Sequence, residues 1–330
     1  KQDGAGNFIL VGTKSDPISG ISLIHAVKTD CAGTLLWEWT YRVNGVPTVA
    51  SVTAFATLQS ACPNVPNEYF VTGKVVVAGG NEEVFILSLR VPTGNVVWMK
   101  TYDIAPNTDD AGTCIQGNCS GPAPALGSLW VSGYSLDASS TDPRKVLMMQ
   151  TDLSGNLVWA NNYDIQNSAL ETATHFQFGQ NNTLVLTGKA EDSGVSDPPE
   201  IGQCLLMRMA DHGSSVDWTR VFQMGFASQG NRVEPNAGDE YFITGHTYEI
   251  IQPHVFDYNI LAIKTNKIGQ TEGDCYHSPE TIIIPRQPAT SSVQPTANIP
   301  QDFSPSSLAT VLYNDQQTFC HNSTQIDPCD

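Results

Sequence analysis

The sequence predicts an all-β protein: a β-propeller of four-stranded antiparallel blades, most simply five of them, followed by an extended Pro-rich tail. Three observations predict it. An apolar segment closed by glycine recurs five times. A glycine-led segment carrying tryptophan recurs four times at nearly the same period. No stretch sustains the 3.6-residue periodicity of an amphipathic helix.

The glycine segments are Phe8–Gly12, Tyr69–Gly73, Leu129–Gly133, Leu184–Gly188 and Tyr241–Gly245, with steps of 61, 60, 55 and 57 residues between the glycines. A second apolar segment follows each: Ile21–Lys28, Val84–Leu89, Lys145–Gln150, Cys204–Met209 and Ile260–Lys264. Several of these alternate, as strands do when one face is more buried than the other; in the last, Leu261, Ile263 and Thr265 stand against Ala262 and Lys264. The third segment carries Trp37, Trp98, Trp159 and Trp218, at steps of 61, 61 and 59, with Tyr41, Tyr102, Tyr163 and Phe222 four residues on. A fifth copy, Gly269 to Gly273, is degenerate and lacks the tryptophan. The glycine before each tryptophan suits the positive φ of a hairpin turn or G1 bulge, so the second and third segments form a hairpin. A weaker strand fits before the next glycine strand, as at Ser51–Leu58 and Thr172–Phe178. Packing between blades then predicts that Trp98 and Trp159 are buried.

The Gly-Asn-x-x-Trp-x-x-x-Tyr strand after an apolar glycine strand resembles the repeats of secreted bacterial β-propeller proteins, and quinoprotein-like propellers share a similar pattern. The resemblance covers residues 8 to 276. It implies architecture rather than activity, because one propeller scaffold hosts many functions.

The propeller is assigned to residues 1–277 and the tail to 278–330. Too little chain precedes Phe8 to give the first repeat its own weak strand, and an exposed sheet edge has to be covered. The tail is the candidate cover. All 27 glycines lie before residue 274, while 7 of the 20 prolines fall in the last 53 residues, which favours extended chain. Two β-prone segments are embedded there. One is Thr281–Ile284, with Ile282 and Ile284. The other is Leu308–Tyr313, with Leu308, Val311 and Tyr313, and it resembles the weak strand Ser51–Leu58. Either segment could add to the chain's own sheets or to those of a second copy.

Net charge is −17, with 16 Lys and Arg and no basic run, which excludes the clustered cations of nucleic-acid binding. No apolar run is long enough for a membrane-spanning helix, and the polar start Lys1-Gln2-Asp3-Gly4 is not a secretory signal. Eight cysteines and sequons at Asn118, Asn181 and Asn322 fit an oxidising, extracellular or cell-surface setting in which these asparagines carry sugar. Sequence proximity points to local disulfides Cys114–Cys119 and Cys320–Cys329, with Cys31–Cys62 a further pairing and Cys204 a buried thiol.

No metalloprotease, nucleophile-elbow, phosphate-loop or dinucleotide motif occurs among these residues. Asp109 and Asp110 form the densest acidic spot and are the calcium candidate, two carboxylates toward the six or more oxygens calcium takes. Asp152-Leu-Ser-Gly-Asn156 is explained by turn chemistry. The leading expectation is therefore a non-catalytic building block of a surface layer or filament, whose partner is itself through the tail. A glycan- or protein-binding module using Trp39 and Trp130 ranks second, and a quinoprotein-like enzyme third.

Overall fold

In the computed structural model every regular element of the described residues is a strand, and no α-helix occurs among them. The structure describes residues 5–15, 22–43, 50–57, 68–77, 80–104, 108–118, 127–136, 144–166, 168–180, 183–192, 202–210, 213–224, 227–236, 238, 240–252, 255–271, 281–286, 289–293 and 295–299. The chain is all-β, and its strands fall into five consecutive antiparallel units. Unit 1 holds β1 (Phe8–Ser15), β2 (Ser22–Thr29) and β3 (Leu35–Val43). Unit 2 holds β4 (Ala50–Thr57), β5 (Glu68–Val76), β6 (Glu82–Arg90) and β7 (Val96–Asp103). Unit 3 holds β8 (Asp110–Asn118), β9 (Ser128–Leu136), β10 (Arg144–Asp152) and β11 (Leu157–Ile165). Unit 4 holds β12 (Ser168–Phe178), β13 (Leu184–Asp192), β14 (Gly202–Ala210) and β15 (Ser215–Phe222). Unit 5 holds β16 (Ala227–Pro235), β17 (Tyr241–Gln252) and β18 (Val255–Thr265). Units 3 and 4 are joined by a single parallel bridge, Arg144 to Leu170.

The core is four layers, each shared by two consecutive units. Ile9, Ile24 and Tyr41 of unit 1 meet Val71, Phe85 and Leu87 of unit 2. Phe70, Val84 and Ile86 of unit 2 meet Val131, Leu147 and Met149 of unit 3. Trp130, Val146 and Met148 meet Phe176, Leu186 and Met207. Val185, Cys204 and Leu206 meet Val233, Ile243 and Leu261. Strands such as Phe85-Ile-Leu87 are buried on both faces, which is why they read as continuous apolar runs rather than alternating ones.

A repeated joint ties each unit to the next. The turns before Trp37 and Trp159 are each closed by a side-chain oxygen accepting two backbone N–H groups; Asp30 Oδ1 takes those of Ala32 and Thr34, and Asp152 Oδ1 those of Ser154 and Asn156. Each turn carries a glycine at positive φ: Gly33, Gly94, Gly155, Gly213 and Gly269. The ladder slips just beside it, for example between Gln150 and Thr151. On four of these five glycines sits an aromatic ring of the preceding unit. A Cβ at Gly94 would lie 2.5 Å from Trp39, at Gly155 2.7 Å from Trp98, at Gly213 2.9 Å from Trp159 and at Gly269 2.6 Å from Trp218. The tyrosine that follows donates its hydroxyl to the same turn: Tyr41 to the Gly94 carbonyl at 2.7 Å, Tyr102 to Gly155 at 2.8 Å and Tyr163 to Gly213 at 2.5 Å. Burial pushes all three phenols far above their ordinary range, so they stay neutral donors.

This corrects one sequence expectation. Trp98 and Trp159 are half-buried, because each lies as a lid over the neighbouring turn. The fully buried indole is Trp130, 1% exposed, whose ring packs edge-on against Trp159 and Phe178.

The joint makes two glycine substitutions unequal. Gly155→Ala meets both a left-handed backbone and the Trp98 ring and should cost about 3 kcal/mol, whereas Gly33→Ala, with the same backbone and open space around it, should cost about 1 kcal/mol. Denaturant unfolding of the two variants checks this.

Candidate assembly surface

The weak strands β4, β8, β12 and β16 form the inner edge of their units, and each contains a bulge opposite the recurring glycine. Val52, Gly112, Ala173 and Gly230 pair with Gly73, Gly133, Gly188 and Gly245; one residue is then skipped, and Ala54, Cys114, His175 and Arg232 pair next. The skipped residues are Thr53, Thr113, Thr174 and Asn231. The Thr113 hydroxyl reaches the carbonyls of Ser132 in its own unit and Ala173 in the next, and Thr174 reaches those of Thr187 and Gly230. The bulge therefore turns a hydroxyl from one inner strand onto the following one. It also brings the two backbones so close that a Cβ at Gly133, Gly188 or Gly245 would collide with the carbonyl oxygen of Ala111, Thr172 or Gln229.

Unit 1 is the exception. Among the described residues β1 has no inner partner, and a Cβ at Gly12 would meet nothing within 4 Å. Leu10, two residues before that glycine, is 55% exposed, while its counterparts Val71, Val131, Leu186 and Ile243 are all buried. At the other end, Phe242 is 48% and Ile260 90% exposed, against buried Phe70, Trp130 and Val185, and buried Val84, Val146 and Cys204. These residues occupy positions that form a shared core everywhere else. Among the described residues no such core joins unit 5 to unit 1. Among the described residues, then, unit 1 and unit 5 each expose apolar side chains at positions that the other units bury.

The tail pairs with outer edges. Strands β19 (Thr281–Arg286), β20 (Ala289–Val293) and β21 (Pro295–Ile299) lie antiparallel on β11, β7 and β3, so the chain passes back from unit 3 to unit 1. Ile282 pairs with Asp164 and Ile284 with Asn162. Pro285 and Pro295 sit in these added edge strands, the one place in a sheet where a missing N–H is tolerated. Leu308, Val311 and Tyr313 lie outside the described residues.

The remaining predicted sites divide as follows. Cys114 is a buried thiol on β8, so the expected Cys114–Cys119 bridge does not form. The strand runs on to Asn118, so Cys114 stands inside a ladder, opposite Ser132, and not in a loop. Cys204 is a buried thiol whose pKa burial pushes up to about 12. Cys31 is disulfide-bonded to a partner outside the described residues, where Cys62, Cys119, Cys320 and Cys329 also lie. Asn118 ends β8 opposite Ser128, and Asn181 and Asn322 fall outside the described residues. Asp109 accepts the Glu82 N–H at 2.9 Å and buried Asp110 that of Ile104 at 2.7 Å. Glu171 repeats the Asp110 contact one unit later, on Ile165 at 3.0 Å. These carboxylates cap the link into the next inner strand, and no group of three or more His, Cys, Asp or Glu is disposed to hold a metal among the described residues. Trp130 is core, and the Trp39 indole donates to the Thr93 carbonyl at 2.7 Å, so neither is set out as a sugar platform. His246 lies 3.3 Å from Asn231, the bulge residue of unit 5.

Comparison with protein-family models and with curated proteins finds no match for this chain.

Iodoacetamide should leave Cys114 and Cys204 unmodified in the native protein and alkylate both after unfolding, because the thiolate is the reactive form and burial disfavours it. Peptide mass spectrometry reads the result, and a linked Cys114–Cys119 peptide would contradict it.

Proposed function

We propose that this chain is a non-catalytic extracellular building block of a surface layer or filament, in which five propeller blades form the body and the Pro-rich tail links subunits. The observation that carries the reading is the behaviour of the tail as a serial strand donor. Its described residues add three short strands to three different units. A segment that docks through backbone ladder bonds can dock on any open edge of the right register, its own or a neighbour's. The apolar side chains that units 1 and 5 expose, Leu10, Phe242 and Ile260, supply places for such docking. Five units, consecutive ones sharing a core, with the inner strands β4, β8, β12 and β16 turned toward one another, are the arrangement from which a propeller closes. Acidic composition and sequons fit a secreted location, and the polar turns carry no catalytic constellation to compete with a structural role.

Removal of residues 301–330 tests the reading while leaving β19 to β21 in place. Sedimentation velocity over a concentration series should show the full chain associating and the truncated chain remaining a folded monomer. A full chain that stays monomeric throughout, or a truncated one that associates equally, would overturn it.

A further inference from the structure

We infer that Lys145 and Asp164 join after folding into a side-chain amide, an intramolecular cross-link between β10 and β11 of unit 3. The bond lies within one chain and needs no role of the tail between subunits.

The sheet holds the reacting pair together. Val146 pairs with Tyr163, so Lys145 and Asp164 are the next residues on the two strands, on the face that carries Leu147 and Met149 toward unit 2. Lys145 Nζ lies 2.6 Å from Asp164 Oδ1. The lysine is 1% exposed, one of the largest fully buried side chains of the protein. Asp164 is covered on its outer side by β19, where it pairs with Ile282. In the same row stand Ser135, which pairs with Lys145, and Asp110, which pairs with Ser135; both are fully buried.

Packing between units does not require this pair. At the Lys145 position the other units carry Leu23, Glu83, Gln203 and Asn259. At the Asp164 position units 1, 2 and 4 carry Arg42, Asp103 and Gln223. Only unit 3 sets a lysine opposite a carboxylate at this point of the repeat. As an ion pair the arrangement is poorly satisfied. An ammonium carries three donors, and among the described residues Lys145 meets one acceptor, Asp164. Two residues from Asp164 and on the same face, Asn162 is 0% exposed, and neither atom of its amide has a hydrogen-bond partner. Polar groups buried in this way are costly. Amide formation removes both charges and leaves one carbonyl and one N–H on this face, groups of the kind that Asn162 can bond.

The step is a condensation that the pair completes by itself. One proton passes from Nζ to the carboxylate, leaving an amine and a carboxylic acid. The Nζ lone pair attacks Asp164 Cγ, and a second proton moves from nitrogen to the departing hydroxyl. The Cγ–O bond breaks, the Nζ–Cγ bond remains and one water leaves; nothing is oxidised or reduced. Contact between the two groups supplies the effective concentration that the reaction lacks in free solution, and burial keeps out the water that would reverse it.

Proteolysis of the denatured full-length protein, read by mass spectrometry, tests the bond. No Lys or Arg lies between Lys145 and Lys189, so trypsin cuts an unlinked chain after Lys145 and releases residues 146–189. A linked lysine is not a trypsin site, and residues 145–189 should stay in one piece. Further cleavage with chymotrypsin, at Trp159 and Tyr163 among other places, separates Lys145 from Asp164 in sequence. The pieces holding the two residues should remain joined and be lighter by one water than their sum. A backbone cyclised at Asp164 also loses water but leaves Lys145 open to trypsin. Release of residues 146–189 as the main product would overturn the bond. A Lys145→Arg protein whose Asp164 peptide still lacks one water would place the loss elsewhere and also overturn it. Pieces joined through Asn162 with loss of ammonia would overturn Asp164 as the acceptor.

Discussion

The contact on which the rest of the structure depends is the seating of one unit's aromatic pair on the next unit's glycine turn. A three- or four-stranded sheet of this size has two faces and no private core, so it must bury both against neighbours. The tryptophan ring and the tyrosine hydroxyl fix how that burial is registered. The ring needs a turn without a side chain, and the hydroxyl needs its carbonyl; the positive-φ glycine supplies both. Because the phenol is desolvated it remains a neutral donor, and losing its acceptor would leave a buried polar group unsatisfied. The apolar layers on either side can then interdigitate at one spacing, which is why four separate cores of nearly the same composition recur along the chain.

The same rule determines what happens where neighbours run out. Among the described residues Gly33 has a prepared turn with no ring on it, Gly12 has open space beside it, and Phe242 and Ile260 stand exposed at positions buried in other units. A repeat built by nearest-neighbour contact exposes its joining surfaces at its ends, and such surfaces have to be capped, closed on each other or shared between molecules. The tail is the chain's own response at the outer edges, where three short strands cover β11, β7 and β3.

Much of this was legible in the sequence. The glycine and tryptophan strands, and the hairpins between them, were readable because turn chemistry is local and glycine at positive φ has few substitutes. The alternation read at Leu261, Ile263 and Thr265 against Ala262 and Lys264 has its cause in unit 5, where the first three are buried and the other two exposed. The rest was hidden for physical reasons. The repeat tryptophans lie over a turn rather than inside a sheet, and periodicity cannot distinguish those places. Trp130 read as a spare, binding-type aromatic because its counterparts are Phe70 and Val185, a position defined by burial and not by residue type. The bulge residues of the inner strands stand out only once the register marks them. β20 and β21 are short and rich in small and polar residues, β21 opens on Pro295, and both are placed by backbone pairing, which leaves little side-chain pattern to read. Cys114 looked like a loop cysteine because the extent of β8 was not apparent.

Whether neighbouring units are held together by this contact is read most directly by a double-mutant cycle across one joint, Trp98→Ala and Gly155→Ala, measured by equilibrium unfolding. If the ring and the turn are one contact, the two substitutions are not additive. With Trp98 already removed, Gly155→Ala should cost only its backbone strain, giving a coupling of about 1.5 kcal/mol or more. Additivity within about 0.5 kcal/mol would show the two residues to be independent and would contradict the joint as the organising contact of the fold.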